Sequence, residues 1–307
     1  MMKREINTMK SFIKQNFIAR LLILAVVVVI LFALFLIATT FKTKTFRVDD
    51  TTIEEVFMGD SHVRYAVNDN LLKHGVNLAN SSESTYFSYF KLKQILKSNS
   101  SIKTVYLGFS YHNLSAYYDQ YTYGRYSVAH NYFYHLPLKE QLQIMKWSFK
   151  RLPSFLINIF KSGIKSWMNK NIFRGGFDNT YTNVSASEST MNERLRFQYY
   201  SDGELNSFSN VNINYLDNII NLCNKRNIKL IILNTPLHNY YRLKTPRKFV
   251  DKYDSLIYSK NITIMDLSQI ELADYCFQPD GDLVSKEGAA ETTNEIIKQK
   301  QYLANNR

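Results

Sequence analysis

Only two cysteines, five prolines and ten glycines occur among 307 residues. Two cysteines exclude a disulfide-dense scaffold, and no Cys/His spacing suggests a zinc site. So little proline and glycine excludes collagen-like and Pro-rich low-complexity chains. Acids are scarce as well, 26 against 38 Lys and Arg, which gives a formal net charge of +12. An excess of this size points to a polyanion or a membrane surface as partner. Apolar surface is not scarce. With 20 Phe and 22 Tyr the chain is not disordered, and it is long enough for one large core or two small ones.

The position of the charge narrows its meaning. Residues 1–48 carry net +7 and residues 136–174 another +7, while 49–135 and 175–307 each carry −1. A nucleic-acid binder builds its basic face on the folded domain, so no nucleic-acid partner is expected here.

Only one long apolar run is present. Leu21 to Phe41 is 21 residues without a charge. At about 1.5 Å rise per residue this crosses a hydrocarbon core of about 30 Å. The apolar core of a cleaved signal peptide is shorter, about 7–15 residues, and no small-x-small cleavage site follows. The run therefore predicts an uncleaved signal anchor at 21–41, a tail at 1–20 and a linker at 42–52. Lys3, Arg4, Lys10, Lys14 and Arg20 precede it, and Lys42, Lys44 and Arg47 follow it. That bias predicts a cytoplasmic N-terminus, with Asp49, Asp50, Glu54 and Glu55 on the exported side. The expected location is a bacterial inner membrane, single-pass, with residues 53–307 in the periplasm or outside the cell.

Residues 53–307 read as an α/β domain. Short apolar runs at Glu54–Met58, Gly75–Leu78, Lys103–Phe109, Ile228–Asn234 and Ile262–Leu267 alternate with helical patterns at Phe87–Leu96, Val211–Lys225 and Glu287–Lys300. This alternation predicts a parallel sheet covered on both faces, with ligands collecting at the carboxyl ends of its strands. Gly59-Asp60-Ser61-His62, Gly108-Phe109-Ser110-Tyr111-His112-Asn113 and Asn234-Thr235-Pro236-Leu237-His238 all fall at such ends. Taken alone, the first is equally an ordinary strand-to-helix turn with Asp60 or Ser61 as cap.

Val56-Phe57-Met58-Gly59-Asp60-Ser61-His62 resembles the first block of the SGNH (GDSL-like) hydrolase and acyltransferase superfamily. Asn77-Leu78-Ala79-Asn80-Ser81 resembles the second block. Gly108-Phe109-Ser110-Tyr111 resembles the third, with Ser110 in the place of its asparagine. Asp280-Gly281-Asp282-Leu283, set in register by Gly288-Ala289, resembles the fourth, with Asp280 on the family's aspartate and Leu283 on its histidine. The resemblance covers about residues 53–113 and 211–298. It implies a three-layer, flavodoxin-like domain with Ser61 as nucleophile and Asp280 orienting a base. It makes Ser61 N–H and Asn80 oxyanion donors, with Ser110, Asp60, His62 and Asp282 lining the site. A serine needs a base, and Leu283 is none. His112 and His238 are the histidines placed to substitute for it, or else surface or turn residues.

Between the third and fourth strands lies an insert of about 114–210. Its first part is tyrosine-rich, which suits either stacking on sugar rings or packing of a long loop. Its second part reads as a basic amphipathic helix, with Phe160, Ile164, Trp167 and Met168 on one stripe and the lysines, which extend to Lys170 and Arg174, mostly off it. Such a helix docks on a bilayer or a membrane-embedded partner, or else caps the domain. Gly175-Gly176 and the run 178–192 read as a flexible loop. Cys223 and Cys276 either pair or stay buried and free.

Anchored members of this superfamily take part in O-acylation of envelope polysaccharides beside a multispan acyltransferase. By resemblance, the chain is expected to transfer or hydrolyse an acyl ester on an envelope glycan through Ser61, without a cofactor or metal. The opposing expectation is a degenerate SGNH domain that binds a glycan or docks the membrane acyltransferase, or more plainly a structural assembly factor.

Overall fold

The computed structural model describes residues 2–43, 46, 48, 50–168 and 175–305. Lys44, Arg47 and Asp49 in the linker, and Lys170 and Arg174 in the second basic segment, lie outside the described residues.

Five strands form one parallel sheet: β1 (Glu55–Met58), β2 (Gly75–Asn77), β3 (Thr104–Gly108), β4 (Lys229–Asn234) and β5 (Thr263–Asp266). Their order is β2-β1-β3-β4-β5. All five runs expected from the sequence are present, each trimmed by one or two residues. The alternation of side chains along a strand splits the core into two layers. Val56, Met58, Val105, Leu107 and Ile232 face one layer. Phe57, Tyr106, Ile231, Leu233 and Met265 face the other.

Helices cover both faces. On the first side lie α3 (Thr85–Ser98), α7 (Asn210–Lys225) and α8 (Arg247–Lys260), bringing in Phe87, Ile95, Leu216, Ile219, Phe249 and Tyr253. On the second lie α2 (Ser61–Ala66) and α9 (Lys286–Asn305), through Val63, Ala66, Ala289 and Ile296. This is the three-layer α/β architecture expected. Cys223 packs in the first layer and Cys276 in the second, and both are free.

The insert supplies α4 (Leu138–Trp147), α5 (Leu152–Trp167) and α6 (Glu188–Tyr199). The expected loop over 178–192 is corrected at its end, because α6 starts at Glu188. A small antiparallel hairpin, Tyr200–Ser201 with Glu204–Leu205, follows α6. Ser115 Oγ then donates to Gln198 O at 2.6 Å, tying the two ends of the insert together. The tyrosines are largely packing. Tyr132 and Tyr134 are buried, and their hydroxyls donate to Glu83 and to Ile159 O.

At the N-terminal end, α1 (Met2–Lys42) contains a stretch, Asn16–Lys42, long and apolar enough to cross a membrane.

The turn from β1 into α2 is the tightest place in the sheet. Gly59 has φ +132°, and a Cβ there would lie 3.1 Å from the Gly108 backbone. A Cβ on Gly108 would lie 2.2 Å from Val63 Cγ2. The glycine pair lets the ends of β1 and β3 close together, and that sets where residues 60–62 point. Gly59→Ala is expected to cost about 1–3 kcal/mol from backbone strain. A lowered midpoint in thermal unfolding of the detergent-solubilised protein checks this; an unchanged midpoint counts against it.

Candidate functional site

Ser61, at the carboxyl end of β1, is the first residue of α2 and is partly exposed. Asp60 caps the helix, with Oδ1 accepting from His62 N at 2.9 Å. That capping follows from Asp before the first helical residue. It also commits Asp60 to face inwards.

A buried polar network forms around this cap. Asp60 Oδ1 also accepts from His62 Nδ1 at 3.0 Å. Asp60 Oδ2 accepts from His112 Nε2 at 2.7 Å, Asn113 Nδ2 at 2.9 Å and Tyr118 Oη at 2.5 Å. The other nitrogen of His62, Nε2, donates to Asp282 Oδ1 at 2.8 Å. Asp282 Oδ2 accepts from Arg194 Nε at 2.8 Å and Gln198 Nε2 at 2.7 Å, and Tyr241 Oη donates to Gln198 Oε1. The His62 and His112 rings stack, with centroids 3.8 Å apart and planes 13° apart. Asp60, His62, His112, Asn113, Gln198 and Asp282 are all buried.

The charges can be assigned. Burial opposes an imidazolium at His62, but the Asp282 and Asp60 carboxylates prevail and push its pKa up to about 10. Burial likewise opposes ionisation of Asp60, and the two histidines hold it well below the usual carboxylate range. Asp282 is held there too, against burial, by the charges of His62 and Arg194. His112 moves the other way. Burial and the charge on His62 push its pKa down despite Asp60. The network is therefore two carboxylates, one imidazolium and one guanidinium around a neutral imidazole.

Asp60, His62 and His112 also bring three metal-ligand atoms within 4.8 Å of one another. A metal binds an imidazole nitrogen along its lone pair, in the ring plane. Two rings stacked nearly parallel do not share such a point, and Asp60 Oδ2 already accepts from three donors. The geometry is that of a hydrogen-bonded hub.

The residues expected to act with Ser61 do not converge on it. Among the described residues Ser61 Oγ makes no hydrogen bond with any histidine. His62 sits beside it in sequence but turns inwards, both nitrogens on carboxylates. His112 lies behind Asp60. His238 is farther round the rim: its Nδ1 accepts from Tyr240 N at 3.2 Å, its Nε2 pairs with Asp274 at 3.2 Å, and its ring lies edge-on to Phe277. Asp280, read as the orienter of the base, caps its own turn, with Oδ1 accepting from Asp282 N and Leu283 N at 3.2 and 3.3 Å. Burial raises its pKa. The carboxylate that meets a histidine is Asp282, two residues on.

The side chain expected to be an oxyanion donor is committed as well. Asn80 Nδ2 donates to Glu83 Oε2 at 3.1 Å and Tyr132 Oη at 3.2 Å, within a buried cluster where Lys91 Nζ donates to Glu83 at 2.5 Å. Burial lowers the Lys91 pKa. Ser110 Oγ is buried without a partner, and Ser110 N donates to Asn113 Oδ1 at 2.8 Å. The Asn113 amide, three positions on, also donates to Asp60 Oδ2.

Sequence reasoning missed Asn113, Tyr118, Arg194, Gln198 and Tyr241. Arg194 and Gln198 are four apart on α6 and reach the site from one helix face. The cleft over Ser61 is lined by His62, Ser82, Tyr118, Arg194 and Gln198 beside Ser61 itself, with Tyr117 and Tyr121 at its edge, and encloses about 20 Å³, the space of one water molecule.

No protein-family model and no curated protein matches the chain. Among solved structures it is similar to a Bacteroides fragilis protein assigned as an acylhydrolase, at 10% identity and a TM-score of 0.37, covering 85% of this chain and 91% of that one. It is also similar to a GDSL-like lipase of Bacteroides thetaiotaomicron, at 10% identity and a TM-score of 0.37, covering 82% and 89%.

Removing one partner of the buried network should be costly. Asp282→Asn is expected to lose about 3–5 kcal/mol in denaturant unfolding, because the His62 charge loses a carboxylate. The pH dependence has a definite sign. His62, with its pKa raised from 6.5 to about 10, adds stability that is complete below 6.5 and lost as pH rises through 10. Asp60 and Asp282, depressed below 3.8, add stability that is complete above that value and lost as pH falls further. Imidazole nitrogen NMR at pH 8 should show His62 doubly protonated. A neutral His62 there would overturn the charge assignment.

Proposed function

We propose that this chain is a membrane-anchored accessory protein that uses a GDSL-like fold without a self-contained serine-hydrolase centre. On this reading it assists acylation of an envelope glycan by recognising the glycan or docking a membrane-embedded acyltransferase. One observation carries the reading: both ring nitrogens of the buried His62, next to Ser61, lie on carboxylates, Nδ1 on Asp60 at 3.0 Å and Nε2 on Asp282 at 2.8 Å. A general base must have a free nitrogen within about 3 Å of the proton it takes. His62 has none, and the next histidine is turned to Asp60.

Three further features support it. Asn80, the expected side-chain oxyanion donor, is spent on Glu83 and Tyr132. The enclosed space over Ser61 is small, about 20 Å³. The last turns of α1 are part of the fold, with Trp167 Nε1 donating to Thr39 Oγ1 at 2.8 Å and Thr43 Oγ1 lying 2.9 Å from Ser166 Oγ. Cleavage after α1 would strip α5 of these partners, so α1 is read as a retained anchor, with the folded domain on the exported side of a bacterial membrane. Acyl transfer through Ser61 is the competing reading, favoured by the place of Ser61 at the carboxyl end of β1.

A serine-reactive fluorophosphonate separates the two. Folded full-length protein is expected to give no adduct on Ser61 by mass spectrometry. Ser61→Ala is expected to leave envelope acylation unchanged in cells. A stoichiometric adduct, or acylation lost in Ser61→Ala at normal protein level, returns the chain to serine acyl transfer.

A further inference from the structure

We propose that α5 is a second membrane-contacting element, lying in the outer part of the bilayer beside α1 with one face in lipid. The proposal rests on α1 being a retained anchor. It concerns a different surface from the cleft over Ser61.

The first observation is depth. The Phe160 ring packs on Phe35 and Phe32, with centroids 4.9 and 6.4 Å apart. Phe32 lies nine residues before Phe41, the last residue of the uncharged run. At about 1.5 Å per residue it is some 13 Å inside the end of that run. Whatever medium surrounds that part of the span also surrounds Phe160. Gly163 permits the approach, since a Cβ there would lie 2.8 Å from the Phe35 ring.

The second is the division of the α5 surface. Phe155, Ile159 and Gly163 are buried against the domain. A separate apolar stripe is left open at helical spacing: Ile157 is 55% exposed, Phe160 42%, Ile164 40% and Trp167 44%, with Met168 beyond at 57%. Lys161 and Lys165 fall on the remaining polar side and are exposed. A domain cap has one apolar face. This helix has two, and the second adjoins the span.

The third is the boundary. Lys42 Nζ lies 4.0 Å over the Trp167 ring and donates to Trp167 O at 3.4 Å. A tryptophan and a lysine at one level, where an apolar run ends, mark a membrane–water interface. The lysines of α5 add attraction for anionic headgroups.

The test uses the full-length chain in phosphatidylcholine–phosphatidylglycerol vesicles, with intact mass reporting separately whether α1 is retained. A Trp147→Phe variant leaves Trp167 as the only tryptophan. Its fluorescence is expected to fall about twofold with lipids brominated near the headgroup end of the acyl chain, and little with aqueous iodide. In a Cys223→Ala, Cys276→Ala background, fluorophores on Ile157→Cys, Phe160→Cys and Ile164→Cys are expected to be quenched by acyl-chain spin labels, and those on Lys161→Cys and Lys165→Cys by aqueous quenchers. Equal aqueous quenching at all five positions overturns the proposal. So does protection of 157, 160 and 164 from both lipid and water, which would assign the stripe to a protein partner. Loss of α1 in the intact mass with the stripe still lipid-quenched would overturn the anchor reading alone.

Discussion

His62 is held between Asp60 and Asp282, and most of the upper rim of this domain depends on that contact. A buried imidazolium is tolerable only with close counter-charges and saturated hydrogen bonds. Here Asp60 brings in the end of β1 and the turn after β3, through His112, Asn113 and Tyr118. Asp282 brings in the segment before α9, and with it Arg194 and Gln198 of α6. Four stretches of chain far apart in sequence are joined through one ring. The insert is thereby clamped over Ser61, which explains why the cleft there is so small.

The same contact sets chemistry against stability. A base needs an available nitrogen, and both nitrogens of His62 are taken. Freeing Nε2 of His62 would leave Asp282 with Arg194 and Gln198 only and the imidazolium half compensated. The position that reads as a catalytic centre from its neighbours in sequence is, in its bonding, a structural joint. Leu283 fits this account. Leu283 is buried, Asp282 points inwards to His62, and Asp280 caps the turn.

What the sequence made legible follows from which physical signals are local. The five strands were legible because buried parallel strands are near-continuous apolar runs bounded by turn residues, as in Lys229–Asn234. Ser61 was placed correctly at the end of β1 for the same reason. Which of Asp280 and Asp282 points inwards was not legible, because the two acids flank Gly281 and turn geometry decides between them. Arg194 and Gln198 were invisible because α6 begins inside a run of Ser, Thr and Asn. The commitment of Asn80 was invisible because Glu83, Lys91 and Tyr132 meet it only after α3 and the insert have packed.

The net charge that looked like a property of the whole chain resolves into two segments that meet in space. Lys42 from the first and Trp167 from the second lie in contact, 125 positions apart in sequence. Neither segment needs the other to be basic for the fold, since the domain core is closed by apolar side chains on both sides of the sheet. What they share is a level. α5 packs along the last turns of α1, so the domain is joined to that helix by side-chain packing as well as by the chain between them. A single helix on a linker would let the domain swing freely. Two helices in contact over Phe32 to Thr43 fix the domain's orientation relative to α1. On the anchor reading proposed above, that constraint holds a surface of the domain at a set distance from the bilayer, and it does not depend on the reactivity of Ser61.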